Sequence, residues 1–100
     1  MQLKELILAV KEKNLSKDDL ENYRDQMSQL FAEMQLELAD LEKLKAMYMD
    51  TNSKAGVSDI SIKRHWQGSK EGLREIVLKR YCLATKELLN SLKSRLYSIY

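Results

Sequence analysis

Basic and aromatic side chains are the residues of this chain with the clearest chemical use. Lys79, Lys86 and Lys93 recur every seven residues, and Lys63, Arg64, Lys70 and Arg74 cluster around Trp66, the only Trp. On a helix a seven-residue repeat returns to nearly the same face about 10 Å further along. Lysine and arginine neutralise phosphates, and planar rings stack on unpaired bases. Interleaved, they suit single-stranded nucleic acid. The same residues have a second reading: a lysine row is often a solvated face or pairs with an acidic neighbour, and a Trp in a turn often covers the ends of two helices. The residues alone leave both open.

Catalytic chemistry has little to draw on. A nucleophile needs a base and an orienting group converging on it. Cys82 is the only cysteine and falls on an apolar row with Leu78, Leu89 and Leu92, the setting of an inert thiol. His65, the only histidine, has no carboxylate partner that spacing identifies. One Cys and one His make neither a disulfide nor a structural zinc site. The expectation is a non-enzymatic protein with no metal, no cofactor and no small-molecule substrate.

These side chains must be carried by helices. The 100 residues include no proline and three glycines, and are rich in Leu, Lys, Glu, Ala and Met. This length predicts one domain, 1–100. Leu3, Leu6, Ile7 and Val10 predict a short helix over about 2–13. Ser16 with Asp19 makes a capping-box pattern opening a helix over 17–50. Along it Leu20, Met27, Met34, Leu41 and Tyr48 alternate with Arg24, Phe31, Leu38 and Lys45, a heptad seam interrupted by charge. Thr51 to Gly56 reads as a break, 58–66 as a short helix and 69–98 as a last long one capped by Ser69. A rod of about 50 Å cannot be wrapped by so short a chain. The fold class expected is therefore all-α: a short N-terminal helix plus a long, coiled-coil-like antiparallel helical hairpin.

Two apolar rows run along the last helix. One is Val77, Tyr81, Ala84 and Leu88; the other is Leu78, Cys82, Thr85, Leu89, Leu92, Leu96 and Ile99. Together they are wider than one neighbouring helix covers, which predicts a homo-oligomer. Its interface is placed at Leu78, Leu89, Leu92, Leu96 and Ile99, with Leu36 and Ala39 from the far side of the 17–50 helix. Ala32, Ala39 and Ala46 there are either a second packing face or simply good helix formers. No apolar run is long enough to cross a bilayer and no secretory signal opens the chain, so a cytoplasmic location without membrane contact is expected. Charge is lopsided: residues 17–50 carry net −5 and residues 51–100 net +6. Those halves either neutralise each other or leave the basic one for an anionic partner.

The ending SLKSRLYSIY, with Lys93, Ser94, Arg95, Tyr97 and Ile99, resembles the last helix of the phage recombination-mediator family, the UvsY-like proteins. LEKLKAMYMDT, with Lys43, Lys45 and Tyr48 before a turn, is similar to that family's basic, tyrosine-bearing hairpin end. The resemblance implies a small helical oligomer in the host cytoplasm that binds single-stranded DNA and helps load a recombinase onto strands covered by single-strand binding protein. It adds Lys43 and Lys45 to Lys63, Arg64 and Lys70 as strand contacts, beside Trp66, Arg74, Lys79, Lys86 and Lys93. The alternative is a helical assembly or adaptor module, structural or binding a host regulator, with no nucleic-acid role.

Overall fold

The computed structural model describes residues 2–12 and 14–99, with the backbone alone at 99. The chain is all-α, with four helices and no strand among the described residues: α1 Leu3–Val10, α2 Lys17–Lys54, α3 Asp59–Gly68 and α4 Lys70–Ile99. Two compact units divide it, one made of Met1–Glu33 with Cys82–Tyr100, the other of Met34–Tyr81.

Each helix end has a local cause. At the start of α2 the Asp19 N–H donates to Ser16 Oγ at 3.1 Å and the Ser16 N–H to Asp19 Oδ2 at 3.4 Å, the reciprocal capping box. Its far end lies at Lys54, four residues past the expected boundary. Thr51, Asn52 and Ser53 stay helical, and Asn52 Nδ2 donates to the Tyr48 carbonyl at 2.8 Å. What stops the helix is Gly56, whose φ of 85° turns the backbone left-handed. The Gly56 N–H then reaches the Ser53 carbonyl, and the Val57 N–H the Asn52 carbonyl. That is the Schellman arrangement, which glycine enters without steric cost.

Helix α1 stops at Val10 rather than near residue 13, itself outside the described residues. Lys11 and Glu12 tighten into short-range bonds to Leu8 and Ala9. Arg95 supplies the partners that further helix would have given, with Nη1 donating to the Val10 carbonyl at 2.6 Å and Nη2 to the Glu12 carbonyl at 2.9 Å.

In the first unit, Leu6 and Val10 of α1, Leu20 and Met27 of α2, and Leu89, Leu92 and Leu96 of α4 form one buried cluster. Leu15, Tyr23, Leu30, Phe31 and Leu88 pack against it. Complete burial of a Leu or Met side chain stabilises by about 1.5–3 kcal/mol. In the second unit the buried side chains are Leu41 of α2, Ile62 and Trp66 of α3, and Glu75 and Leu78 of α4. Leu78, Leu89, Leu92 and Leu96, expected between subunits, are thus spent inside the chain, because this row is the one α4 turns toward its own neighbours. Leu36, at 70% exposed, and Ala39 remain on the surface. The Ile99 side chain lies outside the described residues.

At the α3–α4 junction the backbone of the two helices approaches closely. Ser69 Oγ donates to the Trp66 carbonyl at 2.6 Å and accepts from the Gly72 N–H at 3.0 Å, ending α3 and starting α4 with one hydroxyl. At Gly72 a Cβ would lie 2.7 Å from the Trp66 carbonyl carbon and overlap its oxygen, whereas at Gly68 it would meet nothing within 4 Å. Gly72→Ala is therefore expected to destabilise by about 1–3 kcal/mol, although alanine is the better helix former. Gly68→Ala should be neutral or mildly stabilising. Thermal unfolding followed by circular dichroism checks both; equal midpoints for the two variants would refute the close approach.

Candidate interaction site

The basic residues singled out by type and spacing divide into two groups. Arg74 binds Glu37 through two bonds, Nε to Oε1 at 3.0 Å and Nη2 to Oε2 at 2.9 Å. The Glu37 hydrogen bond raises the Arg74 pKa, holding the guanidinium charge still more firmly. Lys45 Nζ donates to Glu75 Oε1 at 3.4 Å, and Lys79 Nζ stands 4.0 Å from the same oxygen. These three cations are engaged by carboxylates of their own unit. By contrast Lys43, Lys63, Arg64 and Lys70 are exposed and make no ion pair among the described residues, and the same holds for Lys86 and Lys93 in the first unit. Lys93 lines a recess of about 330 Å³ with Arg24, Leu96 and Tyr97.

Of the two readings of Trp66, a ring stacked on bases and a ring covering helix ends, the structure has the second. It is 5% exposed, so its faces are closed to a strand of bases. Its Nε1–H donates to Glu75 Oε1 at 3.4 Å, and its ring sits 5.8 Å from that of Tyr48, tilted by 43°. It is a staple between α2, α3 and α4, held by ring packing on one side and an indole hydrogen bond on the other.

Glu75 is the residue that type and spacing passed over. It is 5% exposed, Oε1 receives both Lys45 and Trp66, and Oε2 is buried with no hydrogen-bond partner. A usable signal was there. Glu75 lies three residues before Leu78 on the row Leu78, Cys82, Thr85, Leu89, and Lys45 occupies the α2 seam. Opposite charges on two facing seams mark a buried pair, which fixes register. Glu37 carries no such signal, because it lies among many exposed acids on α2.

Beside the staple, Leu44, Tyr48, Trp66, Ser69 and Glu71 line a recess of about 300 Å³. Other apolar side chains of the second unit are exposed as well. Leu36 and Met47 on α2, and Leu73, Ile76, Val77 and Tyr81 on α4, are all exposed. Of the two α4 rows, then, the one through Val77, Tyr81 and Ala84 is exposed, and only its last member, Leu88, packs against the core. Cys82 is buried and its thiol pKa is pushed up by that burial, the opposite of an activated nucleophile. No three His, Cys, Asp or Glu side chains gather as metal ligands among the described residues, and no helix there is long and apolar enough to cross a membrane.

The Lys45–Glu75 contact makes a double-mutant prediction. Lys45→Met strands a buried carboxylate and should cost about 1–3 kcal/mol, below the range for fully buried pairs because Lys45 keeps some exposure. Glu75→Leu removes the acceptor of the indole N–H and should also destabilise. Lys45→Met/Glu75→Leu should sit closer to wild type than the sum of the two. Urea unfolding followed by Trp66 fluorescence reads all three, and simple additivity would show that the pair does not couple.

No protein-family model matches this chain, and no curated protein or solved structure is similar enough to it to show a family.

Proposed function

We propose that this protein is a non-enzymatic helical assembly module. In this reading α2 and α4 run as an antiparallel, coiled-coil-like hairpin, and copies of the chain associate through helix faces the fold leaves uncovered. One observation carries it: apolar side chains of the second unit are exposed on α2 and α4 while Lys45, Arg74 and Lys79 are tied to acids. Several exposed apolar side chains grouped along helix faces are the kind of surface that interaction sites use.

Charge placement supports a second copy as the partner. Asp40 stands four residues from both Leu36 and Leu44 on the outer side of α2. Arg80 stands among Ile76, Val77 and Tyr81 on α4. Both are exposed and neither has an ion pair among the described residues. An α2 stripe from one copy laid on an α4 row from another joins apolar to apolar and Asp40 to Arg80, which sets register and excludes other alignments.

The second reading is single-strand DNA binding with loading of a recombinase. What favours it is the exposed, unpaired group Lys63, Arg64 and Lys70, with Lys43 in the same unit. It loses Trp66 as a stacking surface and has to compete with Glu37 and Glu75 for Arg74, Lys45 and Lys79.

Light scattering coupled to size exclusion should give a mass above that of one chain. Val77→Glu/Tyr81→Glu should reduce it to one chain with helicity retained. A wild-type protein that stays a single chain at millimolar concentration would refute assembly through these faces. In fluorescence anisotropy with labelled oligo-dT, the expected outcome is no retained binding at physiological salt. Strong, salt-sensitive binding abolished by Lys63→Gln/Arg64→Gln would establish the second reading instead.

A further inference from the structure

The two cations on the α2 seam have opposite fates. Lys45 meets the buried carboxylate of Glu75 on α4. Arg24, between buried Leu20 and Met27 on the same seam, shares a recess with a second cation, Lys93 of α4. Like charges gathered in one place disfavour each other. Helix α4 offers no relief, since residues 88–100 contain no Asp or Glu. Arg24 does reach Asp25, its chain neighbour, whose Oδ1 accepts from Nε at 3.4 Å and from Nη2 at 3.3 Å. Those bonds are long, and the Asp25 side chain is 72% exposed. Glu21, three residues before Arg24, is engaged elsewhere or with its own helix. Lys93 is exposed, with no hydrogen bond or ion pair among the described residues.

The rest of the lining is Leu96, buried and apolar, and Tyr97, 81% exposed with its ring open to a ligand. The recess measures about 330 Å³, at the lower end of the range for small-molecule sites, about 300–1,000 Å³. All four residues lie inside α2 or α4, so their backbone N–H groups are spent in the helix ladder. Carbonyls freed at the end of α4 point toward its C-terminus, away from Lys93. Arg95, the other cation of this stretch, is held by the Val10 and Glu12 carbonyls. The groups left to meet a ligand are the Lys93 ammonium, the Nη1 end of Arg24, the Tyr97 hydroxyl and the Tyr97 ring.

We propose that this recess binds a small phosphate monoester carried on a flat apolar ring, with the dianion between Arg24 and Lys93 and the ring against Tyr97 and Leu96. The two charges of a monoester match two cations, whereas a phosphodiester brings one. A planar carboxylate is best held by the two-pronged edge of a guanidinium, and on Arg24 that edge is turned to Asp25. Phosphate oxygens point in several directions and accept from single donors on two helices. The recess lies wholly in the first unit, and the faces proposed for assembly lie in the second, so this site goes beyond that reading and stands without it.

The test is a titration of the isotope-labelled full chain with phenyl phosphate at about pH 7.5, where the monoester is dianionic. The amide resonances of Arg24, Lys93 and Tyr97 should move saturably, with Kd on the order of 1 mM. Benzenesulfonate, of similar shape with one charge, and inorganic phosphate, which has no ring, should each bind at least about threefold more weakly. Lys93→Gln should weaken phenyl phosphate by about three- to fivefold. Tyr97→Ala should weaken it by about threefold and leave inorganic phosphate unchanged. Both side chains are exposed, so helicity should be retained in both variants. No saturable movement of these amides, equal binding of benzenesulfonate or inorganic phosphate, or unaltered binding by Lys93→Gln would overturn the proposal. So would displacement of phenyl phosphate by oligo-dT without terminal phosphates at matched phosphate concentration, which would give the recess to a strand.

Discussion

A carboxylate taken out of water organises the second unit. Left alone, buried Glu75 would carry a desolvation penalty of several kcal/mol. Its Oε1 collects the Lys45 ammonium from α2 and the Trp66 indole from α3, while Lys79 approaches from its own helix. Three helices are thus referred to one oxygen atom. The neighbouring seam residues are apolar and would tolerate sliding by a turn, about 5.4 Å; the carboxylate would not, because a shift leaves it without its cation. Apolar packing supplies most of the cohesion here, and a polar pair at one seam position favours the alignment in which it is made.

That selection has consequences at the surface. Lys45 and Lys79 are drawn toward Glu75, and Arg74 is drawn to Glu37 by a two-pronged bond. Trp66 turns inward to serve the same acid. Four of the ten side chains that by type suit a phosphate backbone and its bases, Lys45, Trp66, Arg74 and Lys79, are therefore engaged within the chain. What the unit leaves outside is apolar side chains on α2 and α4, together with Lys43, Lys63, Arg64 and Lys70, which have no ion pair among the described residues. Exposed groups with unmet interactions are where a partner gains free energy.

The helix ends show the same economy. Ser69 closes one helix and opens the next, which works because Gly72 offers no Cβ where the Trp66 carbonyl lies. Arg95 reaches from α4 to the carbonyls at the end of α1. Both are cases of main-chain groups at helix ends finding partners outside the helix, as they must when water is excluded. Arg95 belongs to the same short stretch that resembles the recombination mediators, and in this chain its guanidinium is occupied by backbone.

Much of the architecture was legible in the residues. Four helices, the seam from Leu20 to Tyr48, the capping box at Ser16, the caps at Ser69 and Gly56, and the inert character of Cys82 all follow from local periodicity and short-range hydrogen bonding, which depend on neighbours three or four residues away. Three things did not follow. Which of two adjacent apolar rows on α4 is buried depends on where the other helices lie. Whether a lysine is free or paired depends on an acid some thirty or more residues distant, as with Lys45 and Glu75 or Arg74 and Glu37. The recess at Trp66 exists only where α2, α3 and α4 meet. Periodicity reports the face of a helix; only the tertiary structure decides what stands opposite it, because Coulombic and packing partners are set by distance in space and not along the chain.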